Sequence, residues 1–595
     1  MALFLFTQLY GLNHTKEKLL AILSLALIFL QVFLELEIPD YMSEITKLLQ
    51  MPDTETADIL EPGLKMVGLS LASFATSIVV GYFVAKIAAG LTARVRGEIF
   101  HKVMDYSAHE INQFSVPSLV TRTTNDLTQI QMLIAMGLQV ILRGPIMSIW
   151  AITKISSQKW EWTLTTAVAV GILLLMIAIV MFYAVPRFQK IQTMIDDING
   201  ITRQNLTGLR VIRAYNAEDY QNHQFAEAND NLTNTNIFVG RVMGIMQPGM
   251  SLVSNGLTLA VYWTGAYLIA DAAQGMAQVN LFSQMIVFTS YAMQVIIGFL
   301  LMVMIFMILP RALVSARRIN EVLDMDPSIN FVDDSVQPDE KGTIEFKDVT
   351  FKYGDDAKPA LKDISFKLNK GETLAIIGAT GAGKSTLIQM IPRLYDVSEG
   401  QVLVDGKNVK DFDHASLNNI VGYIPQKPVL FSGTIRSNMN LGESNQHQDA
   451  DLSDDAIWKA LEIAQAKDFV EGEPDQLETK VAQGGSNFSG GQKQRLGIAR
   501  VIARQPEVLI FDDSFSALDY QTDKKLRGIL AERMADTTKI IVAQRISTIM
   551  DADQIIVLER GEIVGHGTHK ELLANNEVYK EIAYSQLSEE ELAND

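Results

Sequence analysis

The chain has 595 residues, 48% of them hydrophobic, yet its formal net charge is −18. That is too long for one ordinary domain, and apolar bulk beside acidic excess points to a membrane part joined to an acidic soluble part. The acidic balance argues against a nucleic-acid binder, and the absence of cysteine excludes disulfides, thiolate metal sites and cysteine nucleophiles.

Residues 1–12 read as a short interfacial helix rather than a signal peptide, because no small-residue cleavage site follows. Six long apolar stretches come next, at about 19–40, 64–89, 130–153, 163–185, 244–270 and 279–309. A hydrocarbon core of about 30 Å needs roughly 20 helical residues. Backbone groups in lipid must be paired within their own segment, so these stretches are expected to be membrane-spanning helices.

Lys and Arg concentrate in segment 86–130 (Lys86, Arg94, Arg96, Lys102, Arg122) and segment 186–243 (Arg187, Lys190, Arg203, Arg210, Arg213, Arg241). These two connections, and with them both termini, are therefore expected to be cytoplasmic. Both keep apolar residues at helical spacing. Running out and back as helix, they would carry their tips roughly 30 to 45 Å below the membrane at about 1.5 Å per residue, as levers towards a cytoplasmic domain.

Arg143 is an unusual charge beside an apolar stretch: either a functional residue or one that snorkels to the cytoplasmic interface. Glu35, Glu37 and Asp40, towards the outer end of the first span, either attract cationic compounds or mark the interface. Met293, Met302, Met304 and Met307 in the sixth stretch suit an adaptable apolar surface as well as they suit ordinary packing.

Composition changes at residues 323–342, which are acidic and contain Pro327 and Pro338. The expected division is a membrane domain over 1–322, a linker over 323–342 and a soluble domain over 343–595 that ends in a C-terminal tail. GTIEFKDVTFKY, TLAIIG, EVLIFD, KIIVAQ and QIIVLE read as strands, and their alternation with helical stretches implies an α/β core.

GATGAGKST, residues 378–386, follows TLAIIG and opens a helical run, which is the context a phosphate-binding loop requires. Gly378, Ala379, Thr380, Gly381, Ala382 and Gly383 would wrap the phosphates with backbone N–H groups. Lys384 would reach the β- and γ-phosphates, the Ser385 hydroxyl would ligate Mg²⁺, and Thr386 follows at the helix start. EVLIFDD places Asp512 at a strand end, where it can hold the Mg²⁺ water shell. These features alone say only nucleotide triphosphatase.

Residues 487–500, NFSGGQKQRLGIAR, narrow the reading. FSGGQ resembles the signature of ATP-binding cassette (ABC) proteins, and the resemblance extends over nearly the whole chain to an ABC exporter half-transporter. It implies a helical membrane domain of six spans with long cytoplasmic extensions, fused to an α/β P-loop nucleotide-binding domain, with ATP and Mg²⁺ as cofactors. By the same resemblance the tips near 106–116 and 206–217 are coupling helices. Tyr353, 25 residues before Gly378, would stack on adenine. Gln426 in YIPQKPVLF would be the Q-loop glutamine that contacts Mg²⁺. KVAQGG, 480–485, sits at the X-loop, and Asp519 of SALD would lie at the dimer interface. In this family two cassettes pair head to tail, so Ser489, Gly490, Gly491 and Gln492 would bind the γ-phosphate of an ATP held by the partner.

Three positions depart from the family pattern. Asp513 stands where the general base is usually Glu, Gln544 where the switch residue is usually His, and Gln483 where X-loops often carry Glu. Asp is shorter than Glu by about 1.5 Å, one C–C bond, and an amide cannot carry a proton or a positive charge. The pattern resembles the degenerate-site subunit of heterodimeric bacterial multidrug exporters, in the plasma membrane, with a non-identical partner carrying Glu and His at these positions. A homodimeric drug or lipid flippase with slow hydrolysis and a non-transporting ATP sensor stay open as alternatives. A peptidase-bearing bacteriocin exporter and an importer fit the sequence less well.

Overall fold

The computed structural model describes residues 15–51, 54–333, 336, 338–354, 356–442 and 452–587; the helix expected over residues 1–12 lies outside them. Two compact units divide the chain. One runs up to Lys102 and resumes over Pro117–Asp324; the other comprises Val103–Val116 and the residues from Met325 onward.

The helices before the soluble domain are α1 (Thr15–Leu48), α2 (Thr56–Met104), α3 (Ala108–Phe114), α4 (Val116–Thr121), α5 (Leu127–Ser156), α6 (Trp160–Thr207), α7 (Leu209–Ala214), α8 (Glu218–Gly244), α9 (Met246–Ala270) and α10 (Met276–Leu323). A π-helical turn, Arg122–Asp126, joins α4 to α5. Among the described residues six spans are long and apolar enough to cross a membrane, one for each expected stretch. With 49 and 48 residues, α2 and α6 are each about 70 Å long at 1.5 Å per residue, more than twice a hydrocarbon core of about 30 Å. The basic connections are thus helical extensions, and short helices, α3 and α7, stand at both expected tips.

In the first unit, Trp162, Phe288 and Tyr291 are buried at the centre of the helix packing. Helices α5 and α10 cross closely: a Cβ on Gly298 would stand 2.2 Å from Ser148 Oγ and 2.9 Å from the Gly144 carbonyl. Small residues permit that backbone approach where no hydrophobic force drives helices together.

The intramembrane charges find partners. Arg143 Nη2 donates to both carboxylate oxygens of Glu35, at 2.8 and 2.7 Å, and Glu35 also accepts from Gln31 and Ser73. Arg143 is thus paired with Glu35 between α1 and α5. Lys154 bonds Asp40 at 2.6 Å and Glu37 at 3.3 Å, and the Tyr291 hydroxyl donates to Asp40 at 2.7 Å. Pairing of this kind makes ionisable groups tolerable in an apolar medium. Towards the other end of α5, Arg122 donates to Glu321 at 2.9 Å and to the Arg318 carbonyl, and Asp126 accepts from Ser315 at 2.9 Å. These bonds tie the π turn to the last turns of α10. Met293 and Met302 are half-buried and Met304 is exposed; the Met307 side chain lies outside the described residues.

In the second unit, β1 (Ile344–Phe351), β2 (Leu361–Leu368), β3 (Thr373–Ile377), β4 (Glu399–Val404), β5 (Lys407–Asn408), β6 (Val421–Ile424), β7 (Val508–Asp512), β8 (Thr538–Val542), β9 (Gln554–Glu559) and β10 (Glu562–Gly567) build two sheets. One is antiparallel, in the order β2-β1-β4-β5; the other runs β10-β9-β3-β8-β7-β6, parallel except for β10. Strands β7 and β8 are buried throughout, which explains their continuous apolar sequence: a parallel sheet covered on both faces has no polar side.

Helix α3 belongs to this second unit. Ser107 and Glu110 form a capping box at its start. Glu110 also accepts from the Ser328 N–H at 3.2 Å, and Asn112 donates to the Tyr395 hydroxyl at 3.3 Å.

Candidate nucleotide site

In an open parallel sheet, ligands bind beyond the carboxyl ends of the strands. Here four adjacent strands deliver the expected residues to that edge. The phosphate loop leaves β3, Gln544 follows β8, Asp512 ends β7 with Asp513 next, and Gln426 follows β6. Register keeps the ends level: Val542 faces Asp512, and Ile424 faces Phe511.

The loop turns into α11 (Lys384–Gln389) through Gly383, whose φ of 102° serves as the helix N-cap and needs glycine. The Lys384 ammonium donates to the carbonyls of Gly378 and Ala379 at 2.7 and 2.9 Å. Burial lowers its pKa, opposed by the carboxylates of Asp513 and Asp512. Ser385 Oγ donates to Asp512 Oδ1 at 2.8 Å. Ala379 and Thr380 are exposed, Ala382 is buried, and Thr386 meets Tyr353: their hydroxyls are 2.8 Å apart. The Tyr353 ring is half-exposed and stands edge-on to Tyr395, with centroids 5.4 Å apart.

Ser385 and Asp512 present adjoining hard oxygen donors, which fit Mg²⁺; the glycine loop and the start of α11 fit polyphosphate. The other oxygen of Asp512, Oδ2, accepts from the Tyr423 hydroxyl at 2.9 Å. Sequence reasoning missed Tyr423. It sits in the same YIPQ stretch as Gln426, but only the pairing of β6 with β7 brings it to Asp512.

Asp513 is buried, with φ 49°. Its Oδ2 accepts two amide N–H groups, from Gln544 at 2.8 Å and from Gln426 at 3.1 Å. Two of the three departures from the family pattern, Asp513 and Gln544, are therefore in direct contact. Gln426 turns its nitrogen to Asp513 here, whereas a metal contact would need its oxygen.

The signature residues do not join this cluster. Ser489 caps α12 (Gly490–Ala503), accepting from the Gln492 N–H while its own N–H donates to Gln492 Oε1 at 2.9 Å. Among the described residues no hydrogen bond links Ser489, Gly490, Gly491 or Gln492 to the phosphate loop or to Asp512 and Asp513. Ser489 and Gly490 are exposed at the start of a 14-residue helix, a surface suited to an anion from outside. Asp519 caps α13 (Tyr520–Arg533), accepting from the Thr522 side chain at 2.7 Å and its N–H at 3.0 Å; the side-chain bond first, and then the backbone one, lower its pKa. Gln483 is exposed beside Lys480–Val481, which pairs with Gly433–Thr434.

Comparison with known proteins agrees with this architecture. Residues 361–516 match the ABC transporter family, and residues 21–310 match the ABC transporter transmembrane region. An uncharacterized ABC transporter ATP-binding protein of Mycobacterium bovis is 39% identical over 534 residues, covering 89% of this chain and 90% of that one. A multidrug resistance ABC transporter ATP-binding and permease protein of Lactococcus lactis is 28% identical, covering 88% and 86%. The structure of a bacterial Atm1-family ABC exporter with ATP bound shares the fold, with a TM-score of 0.76 at 21% identity over 96% of this chain and 98% of that one. The chain belongs to the ABC transporter family: it is an exporter-type half-transporter, a multi-pass membrane protein whose six-span domain is fused to a cytoplasmic ATP-binding domain.

Proposed function

We propose that this chain is one side of an asymmetric ATP-driven exporter, and that its own Walker site, the phosphate loop Gly378–Thr386 with Asp512, holds ATP but cleaves it slowly. The observation that carries this reading is the bonding of Asp513. One of its oxygens is engaged by two glutamine amides, and its carboxylate is about 1.5 Å shorter in reach than a glutamate's. A base must come within hydrogen-bond distance of the water it orients. Gln544 can bond a phosphate oxygen but cannot carry charge towards it.

Binding groups are intact. Tyr353 supplies a half-exposed ring for adenine, Lys384 a cation, and Ser385 and Asp512 the oxygens that would hold Mg²⁺. When bound, that ion neutralises charge on the transferring phosphate. The Ser489–Gln492 segment, exposed at Ser489 and Gly490, would complete a second site with the Walker loop of a non-identical half-transporter carrying Glu and His at the altered positions. Closing two cassettes on ATP favours one access state because ATP then contacts both of them. The capped α3, bonded within the ATP-binding unit and following α2 in the chain, would be the coupling element for such motion.

The transported class is hydrophobic or amphipathic compounds moved out of the cytoplasm. The Lactococcus relative supports this reading, as do intramembrane charges that are neutralised inside the chain rather than left open for one polar substrate. The test is ATP turnover by the purified chain, alone and with its partner. Robust turnover by the lone chain, abolished by Lys384→Ala, would contradict the slow-site reading.

A further inference from the structure

The switch residue Gln544 lies in the segment Ala543–Arg545, between β8 and a short helix, Ile546–Ile549. Gln544 and Arg545 are exposed, and the segment borders a cavity of about 530 Å³ shared with Asp513, Ser516 and Leu587. Ala543 and Ile546 are buried in the core on either side, whereas exposed Gln544 and Arg545 between them are placed by hydrogen bonds rather than by packing.

Two of those bonds come from one distant side chain. Gln586, the last residue of α14 (Glu577–Gln586), donates from Nε2 to the Gln544 carbonyl at 2.8 Å and accepts the Ile546 N–H on Oε1 at 2.8 Å. Helix α14 is itself anchored. Tyr579 and Ala583 are fully buried, and Asn576 caps the helix by accepting the Tyr579 N–H at 2.8 Å. Tyr579, Ala583 and Gln586 follow helical i, i+4, i+7 spacing, so the anchoring face also presents Gln586. From the loop the bonding continues: the Gln544 side chain to Asp513, and Asp513 to Gln426.

We propose that Gln586 is a positioning residue for ATP cleavage, the C-terminal clamp that sets the switch loop against Asp513. The proposal rests on the reading that Asp513 and Gln544 face the reacting phosphate. Only a side chain that donates and accepts at once closes both bonds. Glu keeps the acceptor for Ile546 and loses the donor for Gln544; Met keeps the volume and loses both.

The test uses the full chain, with two readouts. Hydrogen exchange at the Ile546 amide should quicken about tenfold in Gln586→Met, as expected for a lost hydrogen bond, and stay close to wild type in Gln586→Glu; the α11 amides should not change. ATP turnover should lose about tenfold in kcat in Gln586→Met and a few-fold in Gln586→Glu, with KM within about twofold. Turnover is read in the wild type and in an Asp513→Glu background. Failure of Asp513→Glu alone to raise turnover counts against the slow-site reading and leaves the exchange result standing. Unchanged Ile546 exchange in Gln586→Met, or a change in KM at constant kcat, would overturn the clamp. If Gln586→Met quickens exchange throughout the domain, Gln586→Glu decides: constant kcat there overturns the proposal as well.

Discussion

Asp513→Glu should restore hydrolysis at this chain's own Walker site. The added methylene extends the carboxylate by about 1.5 Å, and misplacement of about 1 Å in a reacting geometry costs roughly 10²-fold, about 2.7 kcal/mol of barrier. The gain is smaller than that limit, because Gln544 stays an amide and because the added reach disturbs the two bonds to Oδ2. We expect turnover to rise about 10- to 50-fold, and further with Gln544→His. Position 513 has φ 49°, where Glu is less at ease than Asp, so a loss of roughly 1 kcal/mol in stability accompanies the gain. The assay is phosphate release by the purified chain in liposomes, with Lys384→Ala as the zero. Equal turnover in wild type and Asp513→Glu, with ATP binding unchanged, would refute the argument from reach.

Tyr353→Phe should bind ATP nearly as wild type and Tyr353→Ala about 5- to 15-fold more weakly, because the ring and not the bond to Thr386 meets adenine; equilibrium binding of a fluorescent ATP analogue measures this. Removing one partner of the Glu35–Arg143 pair should cost about 1–3 kcal/mol, and replacing both by Gln should recover much of it, since an unpaired charge is worse than none; thermal unfolding in detergent reads the cycle. Burial pushes the Asp405 carboxyl up to about 6, with the Thr343 N–H opposing and the Glu507 charge adding. The folded state then binds the extra proton between roughly pH 4 and 6, so stability falls as pH rises through that window and stays lower above it. Asp405→Asn, which keeps an acceptor for Thr343, should flatten this slope and raise stability at pH 7 by on the order of 1–2 kcal/mol after solvent screening; unfolding scans across pH 4–8 test it.

The spans were legible because an apolar run of membrane length has few other uses, and the phosphate loop because glycine, Lys and Ser at fixed offsets follow a strand. Asp513 and Gln544 stood out by type, but their shared contact did not, since strands β7 and β8 must first be paired in register. Side-chain partners far apart in the chain were the illegible part. Arg143 meets an acid 108 residues away, Tyr423 meets Asp512 across 89, and Gln586 meets Gln544 across 42. No periodicity encodes these meetings.

The most direct measurement is vanadate trapping of a photoreactive ATP analogue during turnover, in membranes holding this chain and its partner half-transporter, followed by mapping of the labelled peptide. The account predicts trapped product on the partner's Walker loop, and nucleotide bound without trapping at Gly378–Thr386. Vanadate-dependent label on Gly378–Thr386 equal to that on the partner would contradict it.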